Sequence, residues 1–119
     1  MSKVIKGVLI KPNHRAIPYD FEYDSFQDFH TLLDCECFDI ATRRFGDHYY
    51  DIYLDDEGLL VGKKPAIITF DNDDQVCETL VGICFICKHD DKGDTISLED
   101  DEVKEVLNSN IFGVPYCEL

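Results

Sequence analysis

Positive charge is what this 119-residue chain has least of: 11 lysines and arginines stand against 25 aspartates and glutamates, for a net charge of −14. The shortage is uneven. Lys3, Lys6, Lys11 and Arg15 are the only charged residues of the first 15, and the other 7 bases and all 25 acids fall in 16–119. From Ala16 to Thr42 there is no lysine or arginine, while seven carboxylates occur there. Such a surface repels nucleic acid, whose binding depends on lysine and arginine displacing counterions. It attracts basic surfaces and speeds encounter with them.

Long apolar runs are missing too. No stretch approaches 18 apolar residues, so no membrane-spanning helix is expected. The start, MSKVIKGVLIKP, lacks the apolar core and small-residue cleavage site of a secretory leader. The expected address is therefore cytoplasmic, in a bacterial host cell once the resemblance below is considered, with the six cysteines reduced. Catalytic spacings are likewise absent. His14, His30, His48 and His89 are scattered, without an HExxH pattern. No glycine-rich phosphate loop appears. The Asp71–Asp74 run lacks the glycine and the spacing of a calcium loop. No enzyme, metal or cofactor is expected on these grounds.

A core, by contrast, is well supplied. Apolar residues make up 45% of the chain, with 8 Phe and 6 Tyr. A chain of this size buries enough surface to fold as one domain, residues 1–119, without staples. Lys3–Ile10 reads as a mostly buried strand that stops at Lys11-Pro12-Asn13. Ile17–Tyr23 contains Pro18, which makes it short or places it at a sheet edge. Ser25 with Asp28 opens a helix over 26–34, whose apolar face is Phe26, Phe29, Leu32 and Leu33. Strands are expected over 36–44 and 48–54. The second should return through the Asp55–Gly58 turn to a short strand over 59–61. A further strand is expected over 66–70. VGICFICK, Val81–Lys88, is the most apolar run and reads as one central strand. His89–Asp94 is a turn, and Thr95-Ile96 pairs back. Ser97 and Asp100 form a capping box for a last helix over 98–109, and an apolar tail, 111–119, packs back onto the domain. The sum is an α+β fold: a mainly antiparallel sheet of five to six strands with two helices packed on it.

Three constellations bear on chemistry. Cys84 and Cys87 form a CxxC, and Cys35 and Cys37 a CxC. Inside a strand, an offset of three puts Cys84 and Cys87 on opposite faces, which suits core packing and not a zinc site. Arg43-Arg44 and Lys63-Lys64 are the paired bases outside the N-terminus, and arginine forks suit phosphate oxygens. The acids fall in turns and caps, where they are expected to be solvated. The expected partner-binding set is Asp55, Asp56, Glu57, Asp90, Asp91, Asp94, Glu99, Asp100, Asp101 and Glu102.

Four segments also carry a resemblance: VIKGVLIKP, SFQDFHTLLDC, YYDIYLDDEGLLVG and LVGICFICKHDDKGDTISLEDDEVKEVL. Together, over 3–107, they resemble a family of small domains of unknown function carried by bacteriophages, plasmids and other mobile elements. The resemblance implies a mobile-element setting and no catalytic residues. Small acidic proteins in that setting often block a host defence enzyme, some by imitating the charge of DNA. The leading expectation is thus a counter-defence inhibitor of the anti-CRISPR or anti-restriction type. Its acidic face would dock on a basic, nucleic-acid-binding groove of a host protein, without direct contact to nucleic acid or membrane. One alternative is a sponge for a nucleotide signal, a dimer in one form, held by Arg43, Arg44, Lys63, Lys64 and aromatic rings. Others are an accessory protein with no inhibitory role and an enzyme with a carboxylate or cysteine centre. That last reading requires Cys35 or Cys87 to be exposed with a depressed pKa.

Overall fold

The computed structural model describes residues 3–11, 16–45, 48–57, 62, 65–70, 76–107 and 112–113. In chain order the elements are β1 (Lys3–Ile10), β2 (Ile17–Tyr23), α1 (Phe26–Leu33), β3 (Phe38–Phe45), β4 (His48–Asp55), β5 (Pro65–Phe70), β6 (Val76–Val81), β7 (Cys84–His89), β8 (Thr95–Ile96), α2 (Asp100–Leu107) and β9 (Phe112–Gly113). The main sheet has six strands in the order β2-β1-β7-β4-β3, with β8 pairing β7. Every pairing in it is antiparallel. A second sheet, β6-β5-β9, has three strands. The fold is α+β, as the pattern of strands and helices implies.

Strand β7 is central because its residues have no polar face to offer. Cys84, Phe85, Ile86 and Cys87 are all buried, as they must be where helices cover both sides of a sheet. The period-2 alternation of a strand then sorts them. Cys84 and Ile86 join Val8, Ile10, Tyr50, Ile52, Leu98, Val103 and Val106 in the cluster under α2. Phe85 and Cys87 join Ile5, Leu9, Phe21, Phe29, Leu33 and Tyr53 in the cluster under α1. The two cysteines therefore face opposite layers, as their odd offset requires. Each fully buried side chain of this kind contributes about 1.5–3 kcal/mol relative to an exposed one.

Helix α1 begins where Asp28 reaches back to accept the backbone N–H of Asp24 at 2.7 Å and of Ser25 at 3.4 Å. It ends at Asp34, whose φ of 52° is left-handed, and the Cys35 N–H closes onto the His30 carbonyl at 3.0 Å. Its core residue is Phe29. The ring stacks on Tyr53 and meets Phe21 edge-on, both with centroids 4.9 Å away. Strand β2 lies at the sheet edge with Pro18 opposite Val8, a position where a missing N–H costs no ladder bond.

Helix α2 lies across the strands and not along them. Asp100 meets Lys6 of β1 at 2.9 Å, Glu102 meets Lys88 of β7 at 2.8 Å, and Glu105 accepts from Tyr50 of β4. Those three strands are consecutive in the sheet. Three carboxylates of the helix thus dock it on three neighbouring strands, while Val103 and Val106 bury its apolar side.

Four expectations need correction. The run Val81–Lys88 is not one strand: β6 ends at Val81, Gly82 takes a φ of 81°, and β7 starts at Cys84. Glycine adopts that backbone without steric cost, so an apolar run is cut where composition shows no break. Strand β6 itself has no counterpart in the expected elements. The capping carboxylate of α2 is that of Glu102, which accepts the Glu99 N–H at 2.8 Å. Ser97 instead accepts the Lys6 backbone N–H at 3.0 Å. Strand β4 pairs with β3 and β7, and the expected return strand over 59–61 lies outside the described residues. Of the tail, Phe112–Gly113 pairs with β5, and 111 and 114–119 lie outside the described residues. No helix among the described residues is long and apolar enough to cross a membrane.

Candidate acidic interface

The antiparallel register of β4 and β7, Asp51 opposite Cys87 and Tyr53 opposite Phe85, sends the end of β4 and the end of β7 in opposite directions. The expected acids divide accordingly. Asp55, Asp56 and Glu57 lie where β4 ends. Asp90, Asp91 and Asp94 lie where β7 ends, at the level where β1 begins and α2 crosses. The six residues of β7 separate the two groups by about 20 Å.

Several of these acids carry structural bonds. Asp55 is buried and accepts the Glu57 N–H at 2.9 Å, which closes the turn after β4. Asp90 accepts the N–H groups of Lys92 at 2.9 Å and Asp94 at 3.0 Å, which closes the turn after β7. The Lys6 ammonium holds the Asp100 carboxyl below the ordinary carboxylate range. Burial pushes Glu102 up, but its bonds from Lys88 and the Glu99 N–H outweigh this, and the net shift is downward. Asp91, Asp94, Glu99 and Asp101 remain exposed at that end. The fold adds an exposed acid that sequence reasoning did not assign to the site, Asp24 at the start of α1. Asp24 and Asp94 line one cleft of about 450 Å³ with Lys3, Tyr23, Ser25, Phe29, Gly93 and Thr95.

At the opposite end Asp56 and Glu57 are exposed. There Asp55 and Glu57 line a cleft of about 410 Å³ with Gln27, His30, Thr31, Asp34, Cys35 and Glu36. The joining of Asp34 and Glu36 to the β4 turn was not readable from their positions 20 residues upstream.

One polar trio was missed altogether. Asp51, whose side chain is 6% exposed, accepts the Thr42 hydroxyl at 2.8 Å on one oxygen and faces His89 Nδ1 at 2.7 Å on the other. The hydrogen bond from His89 to Asp51, then the charge of Asp51, raise the pKa of His89 above its ordinary value. The only sequence signal was the alternation that placed Asp51 between two tyrosines.

The remaining candidates are placed as follows. Arg43 and Arg44 stand in β3, in register with Tyr50 and Tyr49. Lys63 and Lys64 lie outside the described residues. Cys35 is half-buried and Cys37 exposed. Burial pushes the Cys84 thiol up to about 12 and the Cys87 thiol up as well, the opposite of an activated thiolate. The cysteine-centred enzyme therefore loses Cys87. Among the described residues no group of three or more His, Cys, Asp and Glu is arranged to hold a metal ion.

Compared with known proteins, residues 5–110 match a family model described as Domain of unknown function (DUF3846). No curated protein and no solved structure matches the chain.

Proposed function

The chain belongs to the DUF3846 family, a family of unknown function, and from that premise we propose that it is a non-enzymatic binding protein. It docks the acidic end of its main sheet on a basic groove of another protein. The observation that carries this reading is the run of exposed carboxylates Asp24, Asp91, Asp94, Glu99 and Asp101 around the level where α2 crosses the sheet. Of the lysines in that region, Lys6 is tied to Asp100 and Lys88 to Glu102, while Lys3, Lys92 and Lys104 are exposed. The five exposed carboxylates outnumber these three exposed lysines, on a molecule already at −14, and long-range attraction of a basic surface follows.

A groove that accepts such an end is one built for nucleic acid. In the mobile-element setting that the sequence resemblance implies, the role is inhibition of a host defence protein by occupying that groove. Membrane and nucleic acid are not partners in this reading. The test is capture of the partner from a bacterial host lysate at two salt concentrations. The screening length is about 8 Å at 0.15 M and about 3 Å at 1 M ionic strength. Capture at the lower salt that is lost at the higher supports the proposal, and capture indifferent to salt contradicts it.

A further inference from the structure

Strand β2 forms one edge of the main sheet, and the direction of its free backbone groups can be read from β1. The Lys6 N–H donates to the Ser97 hydroxyl at 3.0 Å, and the Lys6 carbonyl accepts the Leu98 N–H at 2.8 Å. Both backbone groups of Lys6 therefore point to the side of β7 and β8, away from β2. The other even-numbered residues of β1 point the same way. Its odd-numbered residues Lys3, Ile5, Gly7 and Leu9 then bond to Tyr23, Phe21, Tyr19 and Ile17, their partners in β2. It follows that Pro18, Asp20 and Glu22 turn their backbone groups to the open side.

The open window is short. Pro18 has no N–H to offer, and the Asp24 N–H is already donated to Asp28 at 2.7 Å. Between them Asp20 and Glu22 each present one N–H and one carbonyl. Their side chains share one face of the sheet by alternation. Both residues are exposed, and among the described residues neither is in an ion pair. Lys6, across from Asp20, gives its ammonium to Asp100. On the other face Tyr19, Phe21 and Tyr23 form an aromatic row, with Phe21 stacked on Tyr23 at a centroid distance of 5.5 Å.

We propose that this edge takes an extended segment of another protein as an added strand, with a lysine or arginine opposite Asp20, another opposite Glu22, and an apolar residue between them. Strand addition draws affinity from backbone bonds and selectivity from alternate side chains. Residues directly opposite share a face. Basic residues two apart therefore meet the two carboxylates, and the residue between lies beside the aromatic row. A second copy of the chain does not fit. The antiparallel registers that match its outward residues, about Asp20, Phe21 or Glu22, all set carboxylate against carboxylate. Proline and charge blunt an edge against indiscriminate pairing; here they limit the length and the charge of what can pair. The proposal uses none of the carboxylates on which the docking reading rests, so the two stand or fall separately.

Nuclear magnetic resonance of the full chain tests this. The probe is the capped peptide Ser-Thr-Lys-Val-Lys-Thr-Ser, and its control is the same peptide with glutamate for lysine. The lysine peptide should shift the amide signals of Asp20 and Glu22 and slow their exchange with solvent, and the glutamate peptide should do neither. The double variant Asp20→Lys, Glu22→Lys should reverse that preference. Methylating the backbone nitrogens of the two peptide lysines keeps their charge but blocks the ladder, and should weaken binding on the order of tenfold. Methylating that of the valine, which points away from β2, should leave binding unchanged. A lysine peptide that shifts no β2 amide at about 1 mM overturns the proposal. So does equal binding by the two methylated forms, equal binding by the lysine and glutamate forms, or a preference that the double variant fails to reverse.

Discussion

At the scale of single residues, two positions show how closely the sheet is specified. Gly7 of β1 has no room for a side chain: a Cβ there would run into the Ile86 carbonyl oxygen and come within 2.7 Å of the Phe85 ring. Because the clash is with backbone in the sheet centre, it cannot be relieved by rotating a side chain. Gly7→Ala should destabilise the fold by about 2 kcal/mol or more, measured by urea unfolding; a change within about 0.5 kcal/mol would show that β1 and β7 separate easily. The second position is His89. Its pKa is raised in the folded state by Asp51. The contribution is therefore fully present below the unfolded value of about 6.5 and is lost as pH rises through the higher folded value. Comparing the wild type with His89→Asn across that window isolates the pair: the wild-type advantage in Tm should shrink on going from acid to alkaline pH. An advantage that is flat with pH would mean that His89 makes no charged bond with Asp51.

At the scale of elements, the sequence was informative wherever local chemistry and tertiary position agreed. Helix α1 was legible because Asp28 caps it locally and Phe29 and Leu33 face one way. The opposite facing of Cys84 and Cys87 followed from strand geometry alone. Legibility failed where a long-range bond competed with a local one. Ser97 looked like the cap of α2, but its hydroxyl is taken by the Lys6 N–H of β1, and the helix starts later with Glu102 as the capping carboxylate. Strand β6 was missed because its neighbour reads as one apolar run, and only the positive φ of Gly82 separates them. Since Glu102 both caps α2 and binds Lys88, Glu102→Ala should cost about 1–2 kcal/mol. Asp101→Ala, at an exposed neighbouring position, should cost less than about 0.5 kcal/mol. Equal costs in thermal unfolding would remove the case for a docked helix.

At the scale of the whole molecule, what the sequence left open was not the amount of acid but its arrangement. Ten carboxylates were assigned to one interface, and their grouping depends on the direction of β4 against β7, which no local pattern reveals. The register places Asp56 and Glu57 at one end and Asp91, Asp94 and the start of α2 toward the other. Of the assigned acids, Asp55 and Asp90 close turns while Asp100 and Glu102 hold α2 in place. The exposed members beside α2 are the ones left to present charge outward, and Asp24 joins them only through the fold. The most direct test of the docking claim is the dissociation constant of the captured partner for two double variants, Asp91→Lys with Asp94→Lys and Asp56→Lys with Glu57→Lys. The account predicts at least a tenfold loss, about 1.4 kcal/mol, for the first and little change for the second; the reverse pattern, or equal binding by both, would contradict it.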